Sequence, residues 1–87
     1  MRKREMEVAI EIMIENVNDY SREVEKAKEK NLSLTRQYYF HEILKIGKAM
    51  FHLGYNLEED GNRVDCGEGE EPIEYMHYKA SKRRGET

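Results

Sequence analysis

YYFHEILKIGKAMFHL, residues 38–53, is the most apolar run of an otherwise polar chain. Its apolar residues recur every three or four positions, which is typical of a helix. They form two neighbouring rows on that helix: Tyr39, Ile43, Ile46, Met50 and Leu53 in one, and Phe40, Leu44, Gly47 and Phe51 in the other. Because the two rows together make an apolar face wider than about 100°, we expect this helix to pack against more than one neighbour.

A longer helix is predicted before it, over residues 2–30, which contain no Gly and no Pro. The apolar residues of this segment follow a heptad spacing, the seam of a coiled coil or of an antiparallel helix pair. They are Met6, Ile10, Met13, Val17, Tyr20, Val24 and Ala27. The short connection Asn31-Leu32-Ser33 makes the two helices antiparallel neighbours. Asn31 or Ser33 is expected to cap the second helix, predicted over residues 33–53.

The C-terminal third is predicted to form a β element over residues 55–78. Asp60-Gly61 lies between two alternating segments, and this dipeptide favours a two-residue hairpin turn. Such a turn pairs Glu58 with Arg63. Residues 73–78 are the candidate third strand.

A two-stranded hairpin is marginally stable alone, so its apolar face should lie on a helix. The predicted fold is therefore α+β, a long antiparallel two-helix hairpin followed by a small antiparallel β-hairpin or three-stranded β element packed on helix two. Residues 1–79 are predicted to form a single small domain, and residues 80–87 a disordered basic tail.

Composition argues against a membrane or a secreted setting. A single cysteine, Cys66, excludes an intramolecular disulfide framework and fits a reducing compartment. No apolar run approaches the roughly 18 residues of a membrane span. We therefore expect a soluble, cytoplasmic protein.

Residues suited to catalysis or metal binding are few and poorly spaced. His41 and His52 are separated by about 16 Å along the helix axis, too far to share one ion. Cys66 and His77 are the conceivable nucleophile and base, but the alternation predicts that Cys66 is packed on the apolar face of the hairpin. The sequence therefore predicts no enzyme, no metal and no cofactor.

The distribution of charge gives the strongest functional signal. Residues 57–75 contain eight Asp and Glu against one Arg, a net charge of −7, whereas residues 76–87 carry a net +3. An acidic surface of this kind can bind a basic groove as a phosphate backbone does, or it can simply solvate an edge hairpin and prevent aggregation. The predicted contact residues for a protein partner with a basic surface are Glu58, Glu59, Asp60, Asp65, Glu68, Glu70 and Glu71.

Size and charge are similar to those of small acidic proteins from phages and mobile elements that inhibit nucleic-acid enzymes, CRISPR effectors among them. This analogy rests on no shared motif. We expect a non-catalytic binding or regulatory protein that acts by protein–protein contact, and an anti-CRISPR-type inhibitor is its narrowest form. A homodimer through the helices is a further expectation, since the predicted apolar faces exceed what one hairpin covers.

The alternative function is nucleic-acid binding by the C-terminal segment. This segment interleaves aromatic and basic residues, as do surfaces that stack bases and contact phosphates. The candidate residues are Tyr75, Tyr78, Lys79, Lys82, Arg83 and Arg84. The net acidic chain, with a pI of about 5.6, makes this alternative weaker than protein binding.

Overall fold

A computed structural model describes residues 2–67, 69 and 71–83. Two helices, α1 (Lys3–Glu29) and α2 (Ser33–His52), precede two strands, β1 (Tyr55–Asp65) and β2 (Ile73–Lys82). The strands pair antiparallel as a two-stranded sheet. The predicted α+β fold, a helical hairpin followed by an antiparallel β-hairpin, is confirmed.

The seam predicted between the helices forms the core. Val17 of α1 and Met50 of α2 are completely buried, and Ile10 and Ile43 are nearly so. The rings of Tyr20 and Tyr39 meet across the seam, with centroids 5.6 Å apart. The first apolar row of α2 therefore belongs to the helix pair, which leaves the second row for other contacts.

The turn between the helices is made differently from the prediction. Asn31 adopts a left-handed backbone conformation, with φ of 59°. The amide of Leu32 donates to the carbonyl of Ala27 and that of Asn31 to Lys28, so the chain ends α1 with a Schellman motif. Leu32 precedes α2, which begins without a side-chain cap. Asn31 therefore terminates the first helix, and the predicted capping of the second by Asn31 or Ser33 is wrong.

The predicted turn at Asp60-Gly61 is also wrong, since both residues lie inside β1. Glu59 pairs with Tyr78 and Asn62 with Met76, so two residues of β1 face the single residue His77 of β2. This arrangement is a β-bulge, in which Gly61 takes a φ of 80°.

The pairing of the strands follows from that bulge. Glu58 pairs with Lys79 rather than with Arg63. The segment predicted as a third strand is therefore the second. That strand also extends further than predicted, because residues 79–82 belong to β2. The amide of Arg83 continues the pairing by donating to the carbonyl of Gly54 at 2.9 Å. The predicted disorder is therefore wrong for residues 80–83, and the rest of the predicted tail, residues 84–87, lies outside the described part of the chain.

Helix α1 covers the outer edge of β2 with polar side chains. The amide of Tyr78 donates to Asn18 Oδ1 at 2.7 Å, and Asn18 Nδ2 donates to the Tyr78 carbonyl at 3.2 Å. Ser21 Oγ donates to the carbonyl of Met76 at 2.6 Å. Asn18 thus bonds both peptide groups of one residue, as a neighbouring strand would. These bonds fasten the sheet to the helices and satisfy backbone groups that a bare edge leaves unpaired.

The sheet lies against both helices, with β2 beside α1 and β1 beside α2. Leu57 of β1 packs on α2 at Gly47, where the Cβ of a larger residue would lie 3.4 Å from Leu57 Cδ2. A Cβ at position 47 would thus be in van der Waals contact with Leu57, which shows that β1 lies directly against the helix at this point. The predicted packing of the β element on helix two is thus supported in part: β1 lies on α2, but the more extensive contact is that of β2 with α1.

The two hydrogen bonds between the Asn18 side chain and the backbone of Tyr78 are expected to contribute measurably to the free energy of unfolding. Asn18→Ala leaves the amide and the carbonyl of Tyr78 without partners, so we expect the free energy of unfolding to fall by about 1–3 kcal/mol. Asn16→Ala is the matched control, because Asn16 is exposed on the same helix and gains the same helix propensity. Urea denaturation of both variants measures the difference, and equal stabilities would contradict the edge-capping role.

Candidate binding surface

A groove runs between α2 and β1 on the side of α2 that the helix pair does not cover. It encloses about 600 Å³ and is lined by Ile43, Leu44, Gly47, Lys48, Phe51, Tyr55, Asn56, Leu57 and Glu58. We call it the α2–β1 groove. Its floor is apolar, and its charged lining residues are Glu58 and Lys48.

The second apolar row of α2 borders this groove and is only partly covered. Leu57 lies over Gly47, but Phe40, Leu44 and Phe51 remain 52%, 53% and 51% exposed. Arg83 shields part of Phe51, because its guanidinium lies 3.9 Å from the ring centroid and donates to the Phe51 carbonyl. The sequence predicted that this row needs a partner, and within the described residues β1 supplies only part of one.

The outer edge of β1 forms the other wall of the groove. Tyr78 directs its peptide groups to Asn18, away from β1, so Tyr78 and Glu59 are a non-hydrogen-bonded pair of the ladder. By alternation, the peptide groups of Tyr55, Leu57 and Glu59 also point away from β2. No described residue hydrogen-bonds to these groups. Sequence reasoning missed this free edge, because the predicted hairpin placed the strand partners elsewhere.

The predicted acidic contact residues do not form one continuous patch. Glu58 and Glu59 are exposed, but as successive strand residues they project from opposite faces of the sheet. The carboxylate of Asp65 lies 3.4 Å from Arg22 Nε of α1. Glu71 is exposed in the segment that connects β1 to β2, and Glu68 and Glu70 lie outside the described residues.

Asp60, at the bulge, is surrounded by basic groups. Its carboxylate lies 3.2 Å from Arg63 Nη2, 3.4 Å from His77 Nδ1 and 4.0 Å from Lys79 Nζ. Arg63 Nη1 also donates to the carbonyl of Asp60 at 3.0 Å. The Asp60 charge is therefore compensated within the chain, whereas Glu58 and Glu59 form no ion pair with a described residue.

The aromatic and basic residues of β2 are likewise divided. The guanidinium carbon of Arg22 lies over Tyr75, 5.7 Å from the centroid of the tyrosine ring. Tyr78 is half-buried beside α1. Lys79 and Lys82 are exposed on opposite faces of the strand. Arg83 is held on Phe51, and Arg84 lies outside the described residues. The arrangement thus places no two of these rings side by side as a stacking platform.

Cys66 is free and exposed just after β1, so its predicted packing on an apolar face is wrong. It is remote from His77, which faces the bulge in the middle of β2. In the described part of the chain, no cluster of three or more His, Cys, Asp or Glu side chains could hold a metal ion. Neither α1 nor α2 combines the length and the apolar character that a membrane span requires.

Comparison with protein-family models, with curated proteins and with solved structures finds no match to this chain.

Burial of Tyr78 predicts a pH dependence of stability. Burial, with the negative charge of Glu59 nearby, raises the pKa of the Tyr78 phenol above its usual value of about 10. The folded state thus favours the neutral phenol, so its contribution is complete below about pH 10 and is lost as the pH rises through the raised pKa. We expect the free energy of unfolding to fall more steeply above about pH 10 for the wild type than for Tyr78→Phe.

Urea titrations across that range measure the slopes, and Tyr38→Phe at an exposed phenol is the matched control. Parallel slopes for the wild type and Tyr78→Phe would contradict the argument.

Proposed function

We propose that this protein is non-catalytic and acts by binding another protein through the α2–β1 groove. The observation that carries the proposal is the row of half-exposed apolar side chains, Phe40, Leu44 and Phe51, of which Leu44 and Phe51 line the groove beside β1. A connected apolar strip with a polar rim is typical of the centre of a protein–protein interface. The single cysteine supports a reducing, cytoplasmic setting for this interaction.

Aromatic side chains strengthen the choice of this surface. Phe and other large side chains contribute most where a partner fully desolvates them. Leu44 and Phe51 line the groove, and Phe40 lies one turn before Leu44 on the same helix, so a partner that fills the groove covers Leu44 and Phe51 and reaches Phe40 by extending along α2. The exposed apolar residues of α1, Val8 and Ile12, lie away from the groove and from the sheet.

A narrower form of the proposal is that the partner is a nucleic-acid enzyme with a basic groove. This protein would inhibit that enzyme in the way that small acidic proteins inhibit CRISPR effectors. Its support is the net charge of −7 in residues 57–75 and the exposure of Glu58 and Glu59. Glu58 also lines the groove. Carboxylates at this rim favour basic residues around the apolar contact and speed association with a basic partner.

Leu44→Ser tests the binding surface. It removes a half-exposed leucine from the groove, so folding should be little affected, while the loss of buried apolar area should weaken partner binding roughly tenfold or more. Ile12→Ser is the matched control, because Ile12 is as exposed as Leu44 but lies on α1. Both tagged variants are compared with the wild type by affinity capture from lysate of the cells that make the protein, with and without added nuclease.

Proteins held by the wild type are identified, and the affinity of each variant is then measured with the purified partner. Loss with Leu44→Ser and retention with Ile12→Ser would support the proposal. Equal binding by both variants would contradict the groove, and recovery of nucleic acid alone without nuclease would favour the alternative function.

Glu58→Gln combined with Glu59→Gln tests the acidic contribution. If these carboxylates meet basic residues, the double variant should bind several-fold more weakly, and its affinity should depend less on salt because fewer charges are screened. Glu11→Gln combined with Glu15→Gln is the control, since it makes the same change of net charge on exposed positions of α1. Identical salt dependence in the two double variants would remove the support for a basic partner.

A further inference from the structure

The two edges of the sheet differ in whether their outward-facing peptide groups are hydrogen-bonded. Asn18 and Ser21 occupy the peptide groups at the outer edge of β2, whereas no described residue occupies those of Tyr55, Leu57 and Glu59 on β1. We propose that this free edge of β1 accepts an extended, basic segment of the protein partner as a third strand. The inference rests on the proposed function and specifies how the groove is filled.

Hydrogen bonding supplies the first argument. Free amides and carbonyls of alternate residues along a strand form the pattern that an added strand satisfies. Tyr55, Leu57 and Glu59 present this pattern over five residues, beside a groove of about 600 Å³. The space next to the edge is therefore open to a backbone.

Side chains supply the second argument. Leu57 projects toward α2 and lies on Gly47, while its neighbour Glu58 projects from the opposite face and is exposed. A strand added to this edge would place alternate side chains against Leu44 and Phe51, and the others beside Glu58. The groove therefore fits a segment in which apolar and basic residues alternate.

Charge decides between this occupant and a second copy of the chain. Glu59 belongs to the free edge and Glu58 is its neighbour on β1, and neither forms an ion pair with a described residue. Two copies joined edge to edge would bring the Glu58 carboxylates near each other on one face of the sheet and the Glu59 carboxylates on the other, and like charges close together across a strand pair are unfavourable. A basic segment pairs with the same carboxylates, so the edge favours a basic partner over self-association.

The probe for this inference is the peptide acetyl-(Lys-Val)4-Lys-amide, with acetyl-(Glu-Val)4-Glu-amide as its matched control. Fluorescence anisotropy measures the affinity of each labelled peptide for the full chain. Hydrogen exchange measured by NMR reports which backbone amides the peptide protects. We expect the Lys peptide to bind at least tenfold more tightly than the Glu peptide and to protect the amides of Leu57 and Glu59.

Glu59→Pro blocks the edge without removing a bond between β1 and β2, because the Glu59 amide points away from β2. Glu59→Gln removes the charge but keeps the amide. We expect Glu59→Pro to lower the affinity for the Lys peptide roughly tenfold relative to Glu59→Gln, the amount expected for one lost hydrogen bond with a steric block beside it. The circular dichroism and melting of both variants verify the fold.

Four results would overturn the inference: no binding of the Lys peptide, equal binding of both peptides, protection confined to amides outside β1, or unchanged affinity in Glu59→Pro. A peptide-free dimer that Glu59→Pro dissociates, detected by sedimentation, would assign the edge to a second copy and would overturn it too. A further comparison separates a failure of strand addition from a failure of the proposed function. If the purified partner loses affinity for Leu44→Ser but not for Glu59→Pro, the groove is the binding surface and strand addition is wrong.

Discussion

The bonds from Asn18 and Ser21 to the backbone of β2 set the position of the whole sheet. A two-stranded sheet has little stability of its own, so it needs a surface that fixes its register and covers it. Asn18 bonds both peptide groups of Tyr78 and Ser21 bonds the carbonyl of Met76, which holds β2 along α1. Because β1 is paired to β2, its own position follows from these bonds, and it comes to lie beside α2 with Leu57 on Gly47.

The bulge then limits how far β1 can accompany α2. An extra residue in one strand bends it and increases its twist. Residues 55–58 line the α2–β1 groove, whereas the part of β1 beyond Asp60-Gly61 does not. The basic groups around Asp60 hold the bulge with an ion pair to Arg63 and close contacts to His77 and Lys79. Phe40 and Leu44 of α2 thus remain half-exposed because the strand that covers Gly47 does not continue across them.

Helical periodicity was sufficient to predict the helices and their seam, because 3.6-residue spacing depends on the local chain alone. Val17, Ile43 and Met50 are buried as that spacing indicates. The β region could not be predicted in the same way. A hairpin turn and a β-bulge both require a positive φ at Gly61, which the structure has. The sequence therefore indicated the backbone conformation of Gly61 correctly but did not show whether the chain reverses direction there.

The candidate site was harder to predict for a related reason. The acidic residues were apparent in the sequence, but the pairing of Asp65 with Arg22 and of Asp60 with Arg63 depends on tertiary structure. Asn18 also gave no local signal, since an Asn on a helix is usually solvated, and its role appears only when β2 lies beside it. Without the correct strand order, neither the covered edge nor the free one could be identified.

Approximate free energies of binding favour a partner that uses the apolar strip and the free edge together. Covering the exposed halves of Phe40, Leu44 and Phe51 would contribute roughly 1 kcal/mol for each side chain. Each main-chain hydrogen bond along β1 would add about 0.5–1.5 kcal/mol. Loss of translational and rotational freedom costs about 4–15 kcal/mol, so the apolar strip alone falls short of this cost and the hydrogen bonds alone offset only the lower part of its range. A partner that uses both surfaces must place backbone on the edge and side chains over α2 at once, which an extended segment does and a helix does not.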